Sequence, residues 1–147
     1  MLAAESYFLQ SEAALRGWIT GDAKALYKSG VESSFTFLGL TVAQAQTYYG
    51  QAGDKLVNWD ATTTFQEKLA LIIKQKYEAL TLINEFEPYN DYHKLSFLAD
   101  IPLSLSPQST GAIPNRILYP QREYEVNPEN VLKEGTVKAT DKVWWMP

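Results

Sequence analysis

The chain has 147 residues, of which 46% are apolar, 20% are charged and 13% are aromatic, and its net charge is −4. This composition is typical of one globular domain and excludes a disordered chain. The lack of any basic run argues against a nucleic-acid or anionic-membrane surface, and the absence of cysteine excludes disulfides, thiolate metal sites and cysteine nucleophiles.

The first predicted helix runs from Ala3 to about Ile19. Along it, Phe8, Leu15, Trp18 and Ile19 recur near helical spacing. The segment lacks a basic n-region and carries acidic residues, so it is not a signal peptide. No apolar run in the chain approaches the roughly 20 residues of a membrane-spanning helix. Because this helix begins without a capping residue, the sequence is expected to be a fragment of a longer chain.

Two further helices are predicted before residue 50. Gly21 and Asp22 are expected to end the first helix and to cap the second, since Gly tolerates the left-handed conformation and Asp accepts from free N–H groups. The apolar stripe of the second helix consists of Tyr27, Val31, Phe35 and Leu38. This helix should stop at Gly39, and Thr41 is expected to cap a short helix that reaches Gly50.

A polar loop then leads to the longest predicted helix. Val57 and Trp59 are its large apolar anchors. Thr64 and Glu67 have the spacing of a capping box, which predicts the helix start. One face of this helix is apolar apart from Lys76. That face is formed by Phe65, Leu69, Ile72, Ile73, Leu80 and Ile83.

The composition changes in the last third of the chain. A short helix from Pro88 to about Phe97 is expected to complete the helical part, residues 1–97. Prolines then recur every five to eight residues, and they exclude interior helix at most of these positions. Residues 98–147 are therefore predicted to be mostly irregular, with one or two helical turns at 127–131, and to wrap the helical body.

The predicted fold is all-α and tetratricopeptide-like, with helical hairpins at 3–39 and 64–97 and a long irregular C-terminal segment. No 34-residue self-similarity is visible, so a strict tetratricopeptide assignment does not follow. The hairpins themselves fit that geometry. Because such hairpins also build protein–protein adaptors, an adaptor without ligand binding is one functional alternative.

The stretch EFEPYNDYHKL, residues 85–95, combines acids, aromatic rings and the only histidine of the chain. Glu87 and Asp91 share a helix face, but His93 does not lie on it, and a carboxylate pair without a second histidine makes a poor zinc site. Glu85, Glu87 and Asp91 are alternatively candidates for a carboxylate-dependent glycoside hydrolase. The plainer interpretation is a solvated helix start, where acids favour the positive end of the helix dipole. No nucleophile elbow or phosphate loop is present, and no cofactor or metal is predicted.

Several co-linear pieces of the sequence resemble the SusD/RagB family of outer-membrane nutrient-binding lipoproteins, in its SusD-like subgroup. In chain order they are YFLQSEAALRGWITGDAKALYKSGVESSFTFLGL, VNW, LALIIKQKYEAL, NEFEPYNDYHKL, NRILYPQREYEVNPENV and DKVWW. The resemblance implies a mostly helical, non-enzymatic protein on the outer face of the outer membrane of Bacteroidetes, anchored by a lipidated N-terminal cysteine. It also implies capture of a glycan or other nutrient and delivery to a SusC-like TonB-dependent transporter. The chain would be the C-terminal third of such a protein.

The family signature is altered in the fourth piece. Tyr89 stands where members often have Trp, and His93-Lys94 stands where they have Arg-Arg, so an imidazole replaces a bidentate, permanent cation. Because ligands differ widely across the family, its recurring residues are interpreted as scaffold. They are Glu87, Tyr89, Asp91, Tyr92, His93, Arg116, Tyr119, Glu123, Asn127, Asn130, Trp144 and Trp145.

Different roles are expected for the aromatic residues outside that stretch. Trp144 and Trp145 are predicted to plug an apolar surface, and the polar signature residues of the tail are predicted to tie it to the helices. Tyr48, Tyr49 and Trp59 lie at or next to the polar loop. Because loops on rigid scaffolds carry binding, these three are the predicted exposed aromatic platform for a ligand.

Overall fold

The computed structural model describes residues 2–84, 86–95, 101–144 and 146, and the chain divides into two compact units, residues 1–99 and 100–147. The helices of the first unit are α1 Ala3–Leu15, α2 Ala23–Phe37, α3 Val42–Tyr49, α4 Phe65–Leu80 and α5 Phe86–Leu95. Those of the second unit are α6 Gln121–Val126 and α7 Pro128–Lys133. No strand occurs among the described residues, and the all-α prediction is confirmed.

The core of the first unit forms where α1 and α2 pack against each other. Phe8 and Tyr27 are fully enclosed, with ring centroids 6.2 Å apart. Gly30 of α2 lies directly against the Phe8 ring, since a Cβ at that position would come within 2.8 Å of it. The missing side chain therefore lets the two helices approach closely. At the edge of this contact, the Ser11 hydroxyl donates to the Ala23 carbonyl at 2.7 Å.

The first helix ends at Leu15, four residues before its predicted end. Gly17 adopts a left-handed conformation (φ 74°), its N–H donates to the Ala14 carbonyl, and the N–H of Trp18 donates to Ala13. These two bonds form a Schellman motif, which satisfies the last free carbonyls of a helix. The predicted extension of the helix to Ile19, which included Trp18, is therefore wrong, because Gly17 terminates the helix before these residues.

The next two helices follow the predicted boundaries. Asp22 caps α2 by accepting from the N–H groups of the first turn, and Gly39 ends it with φ 80°. Thr41 caps α3, and Gly50 follows its last residue. Leu38, the last member of the predicted α2 stripe, is 65% exposed, because it lies beyond the last residue of the helix.

The longest helix, α4, packs on α1, α2 and α5. Its central apolar residues are buried, whereas Phe65 and Ile83 at the ends of the predicted face are each more than 40% exposed. The loop before α4 is held against the core by two buried side chains and a hydrogen bond from α2. Val57 and Trp59 are buried as anchors, and the Tyr27 hydroxyl donates to the Val57 carbonyl at 2.6 Å.

The remaining helices differ from the prediction mainly at their boundaries. α5 begins two residues earlier than predicted, and its predicted continuation to Phe97 lies outside the described residues. In the second unit, α7 matches the turns predicted at 127–131, while α6 was not predicted because its six residues carry no cap or apolar stripe. Wrapping of the helical body by this segment stays a prediction.

Replacing Glu67 by Gln is expected to weaken the start of α4 at neutral pH. The Glu67 carboxylate bonds Lys55 and accepts from the N–H groups of Thr63 and Thr64, and these contacts lower the pKa of Glu67 to about 2. Because the pKa in the folded state is below the unfolded value of 4.5, the stabilisation is present above that value and is lost as the pH falls towards 2.

The measurement is the urea midpoint of the Glu67→Gln variant and of the original chain at pH 7 and at pH 3. The original chain should have the higher midpoint at pH 7, and the gap should narrow at pH 3. A gap of equal size at both pH values would show that the carboxylate charge does not contribute.

Candidate functional site

The predicted aromatic platform at the polar loop is only partly accessible. Trp59 is 8% exposed, its ring packs 5.6 Å from that of Tyr27, and the Lys68 ammonium lies 5.6 Å from its centroid. This side chain anchors the loop to the core. The prediction that Trp59 is an exposed platform is therefore wrong, because a loop of this polarity needs a large apolar side chain to hold it in place.

Tyr48 and Tyr49 are half-buried, and their hydroxyl groups are bonded to carboxylates. Tyr48 donates to Glu78 at 3.0 Å and accepts from the amide of Gln75, while Tyr49 donates to Glu32 at 2.8 Å. Burial is the main cause that raises the pKa of each tyrosine to about 12, so both stay protonated donors. The two rings thus tie α3 to α4 and α2. Their contact with a ligand stays a prediction.

The signature helix α5 carries a buried ion pair. Lys76 Nζ of α4 lies 2.6 Å from Asp91 Oδ2, outside hydrogen-bond geometry, and both side chains are enclosed. Burial raises the pKa of Asp91, Lys76 opposes that shift, and the nearby Glu12 and Glu87 add to it. The interpretation of Asp91 as part of a solvated helix start is therefore wrong, because Asp91 faces the one cation on the apolar face of α4.

His93 is buried and contacts two aromatic residues of the same helix. It is 5% exposed, and the Tyr89 and Tyr92 rings meet it edge-on with centroids 4.3 and 4.9 Å away. Such an environment suits a packed imidazole. Glu85, the third acid of the hydrolase alternative, lies outside the described residues. Within the described part of the chain, no three His, Asp or Glu side chains converge on a possible metal position.

The polar signature residues of the second unit bond to one another and to their close neighbours. They are Arg116, Tyr119, Glu123, Asn127 and Asn130. Tyr119 donates to Glu134 at 3.0 Å, and Arg116 lies 3.8 Å from the same carboxylate. Asn127 donates to Glu123 at 2.8 Å and accepts from Asn130 at 2.6 Å. These bonds order the segment around α6 and α7, and the predicted tie to the helical unit stays a prediction.

Trp144 differs from its predicted role. It is 96% exposed, contrary to the expectation that it plugs an apolar surface. The reason is its position at the corner of a turn that the bond from Met146 N–H to the Val143 carbonyl closes. Connecting segments of this kind run over the protein surface. Its neighbour Trp145 lies outside the described residues.

A second exposed aromatic group was not anticipated from the sequence. Trp18, 68% exposed, follows the cap of α1, and the Arg16 guanidinium carbon lies 5.1 Å from its ring centroid and 5.9 Å from that of Phe65. Arg16 Nε bonds Glu12 Oε1 at 2.8 Å. The available signal was Gly17, which could have been recognised as the C-terminal glycine of α1 in place of Gly21.

The comparisons with known proteins agree with this helical arrangement. The model of the SusD-like family, described as starch-binding and associating with the outer membrane, matches residues 1–120. The structure is similar to an outer-membrane protein of Bacteroides vulgatus whose description links it to nutrient binding, at 31% identity and a TM-score of 0.77. It is also similar to a SusD homologue of Bacteroides fragilis, at 26% identity and a TM-score of 0.71. A chitin-binding SusD homologue of Flavobacterium johnsoniae is similar at 30% identity and a TM-score of 0.69.

These similarities extend over nearly all of this chain but only part of the other proteins. The three alignments cover 98%, 97% and 97% of this chain, and 33%, 33% and 35% of the respective relatives. The chain therefore spans about a third of their length. Curated protein sequences give no significant match.

Proposed function

The chain belongs to the SusD-like family of starch-binding proteins that associate with the outer membrane, and on that basis we propose that it takes part in the non-catalytic capture of a glycan or other nutrient. The observation that carries this proposal is the family match over residues 1–120, supported by a fold similar to that of a chitin-binding homologue. Residues 1–147 are proposed to be one part of a SusD-like domain.

The proposed partner is a SusC-like TonB-dependent transporter, to which the captured nutrient is delivered. The proposed location is the outer face of the outer membrane, with attachment through an N-terminal lipid anchor. No helix in the described ranges is long and apolar enough to cross a lipid bilayer. The packing of the helices in the first unit is compatible with a rigid binding scaffold.

A non-enzymatic role is supported by the burial and pairing of Asp91 in α5. Asp91, the buried acid, is paired with Lys76 at 2.6 Å and is not presented to solvent. A glycoside hydrolase needs two carboxyl groups on either side of the scissile bond, one of which must protonate the leaving oxygen. An acid that is enclosed against a lysine is poorly placed for that step.

The proposal is tested by calorimetric titration of the full-length protein with maltoheptaose and with chitohexaose, followed by product analysis after prolonged incubation. We expect saturable binding of at least one oligosaccharide and an unchanged chain length. Release of shorter products in proportion to enzyme concentration would contradict the non-catalytic role. Absence of binding to both sugars and to a wider glycan panel would contradict glycan capture.

A helical-repeat adaptor is the second candidate, because α1, α2, α4 and α5 pack as hairpins. Purification from outer membranes distinguishes the two roles. Co-purification with a TonB-dependent transporter, together with glycan binding, supports capture and delivery. Stable association with a periplasmic protein, without glycan binding, favours the adaptor.

A further inference from the structure

We propose that Trp18 is a stacking platform for a neutral saccharide ring and that Arg16 is the residue that positions it. This inference rests on the proposed glycan-capturing function and deepens it by naming a contact residue. Trp18 is the most exposed aromatic residue described in the first unit, at 68%. It lies in the loop between α1 and α2, in the first of the pieces that resemble the family, but it is not among the recurring residues interpreted as scaffold.

The backbone that carries Trp18 is fixed by the cap of α1. Its N–H donates to the Ala13 carbonyl at 2.9 Å, and the N–H of Gly17 donates to Ala14 at 3.0 Å. In such a Schellman motif, an apolar residue at the position of Trp18 usually folds back onto the last turn of the helix. Here the indole is instead mostly in contact with solvent, so the cap holds the ring at the surface.

The orientation of the ring is set by a charged side chain that is itself anchored. The Arg16 guanidinium carbon lies 5.1 Å from the Trp18 centroid, within the range of a cation–π contact. Arg16 Nε bonds Glu12, whose side chain is buried, and Phe65 provides a second ring 5.9 Å from the guanidinium carbon. A ring held in this way loses little conformational freedom when a ligand stacks on it.

The size of the group fits a small ligand better than a protein partner. One tryptophan side chain can bury roughly 150–250 Å² of its surface, whereas a standard protein interface buries about 800 Å² on each partner. Two other apolar residues lie beside Trp18, and these two, Ile19 and Phe65, are each 43% exposed. The neighbouring Thr20, Gly21 and Asp22 are exposed and small or polar.

The charge and chemistry of the group fit a neutral sugar. The C–H bonds on one face of a pyranose are slightly positive and pack on the negative face of an aromatic ring. Arg16 has five N–H donors, of which the bond to Glu12 takes one, and its side chain is 20% exposed, so the exposed part of the guanidinium can donate to a sugar hydroxyl group. Because Glu12 compensates the charge of Arg16, a uronic acid gains no net electrostatic advantage.

The test is titration of the full-length protein and its variants with maltoheptaose and chitohexaose. Trp18→Ala should weaken binding of the preferred sugar about tenfold, and Trp18→Phe, which keeps a ring, should weaken it less. The matched control is Trp144→Ala, since that tryptophan is also exposed but lies in the second unit. It should bind as the original protein does. Circular dichroism checks that each variant keeps its helices.

Three results would overturn the inference. If the original protein binds sugar and Trp18→Ala binds it equally well, the platform is not at Trp18, and the proposed capture function stands. If Trp18→Ala keeps its sugar affinity but no longer co-purifies with a membrane partner, the residue is part of a protein interface. If the original protein binds none of the sugars, the proposed function fails and the inference fails with it.

Discussion

Replacing Lys76 by Met is expected to lower the free energy of unfolding by about 3–5 kcal/mol at pH 7, because it leaves a buried carboxylate without its cation. The Lys76 and Asp91 side chains are 3% and 9% exposed, and their charged atoms are 2.6 Å apart. No solvent is available to replace the lost partner. Glu12 and Glu87 lie near enough to raise the pKa of Asp91, so they add repulsion.

The pH dependence of this loss has a definite sign. Burial raises the pKa of Asp91, and Lys76 is the group that opposes this shift. Without Lys76 the pKa in the folded state rises further above its unfolded value. A group of this kind favours folding when it is protonated, so the penalty is present above its folded pKa and is relieved as the pH falls through that value. The stability gap between Lys76→Met and the original chain should therefore shrink on acidification.

Two further variants complete the test by urea denaturation. Asp91→Asn removes the carboxylate and leaves the buried Lys76 ammonium without a counter-charge. The loss of stability in this variant should therefore not become smaller at low pH. The double variant Lys76→Met/Asp91→Leu removes both charges, and its stability should lie within about 1 kcal/mol of the original chain or above it. If Lys76→Met alone is as stable as the original chain at pH 7, the ion pair does not hold α5 on α4.

Helix boundaries were predictable wherever a single local signal set them. Asp22, Thr41 and Thr64 each cap a helix as predicted, because a short polar side chain satisfies free N–H groups in any tertiary context. The end of α1 was not predictable from apolar spacing alone. Gly17 and Gly21 were both possible ends, and the choice depends on how the following loop reaches α2.

The residues of the site depend on contacts between distant parts of the chain, and a pattern along one helix does not show those contacts. Lys76 was recognised as the polar exception on its face, and Asp91 as one of the acids of the signature, but their pairing requires α4 and α5 to be packed. Trp59 was predicted to be exposed and is instead buried against Tyr27 of α2, a contact that likewise depends on the folded chain. Trp18 was predicted to lie in the first helix, and it lies beyond the local cap at Gly17, which apolar spacing alone does not show.

Replacing Gly30 by Ala is expected to destabilise the protein by about 1–3 kcal/mol, although the same change in an exposed helix interior would stabilise it by about 1 kcal/mol. The new Cβ would lie 2.8, 2.9 and 3.0 Å from three atoms of the Phe8 ring. That ring is 1% exposed and packs against Tyr27, so it has no free space to move into. The steric cost therefore exceeds the gain in helix propensity.

A double-mutant cycle with Phe8→Leu, measured by urea denaturation, separates these two effects. Phe8→Leu alone should be destabilising, because it leaves space in the core. In that background the Cβ of Gly30→Ala no longer meets an aromatic ring, so adding Gly30→Ala should be neutral or stabilising. The coupling energy should be about 1–3 kcal/mol, as is found for residues in direct contact. Equal effects of Gly30→Ala in both backgrounds would show that close approach to Phe8 is not what requires glycine in α2.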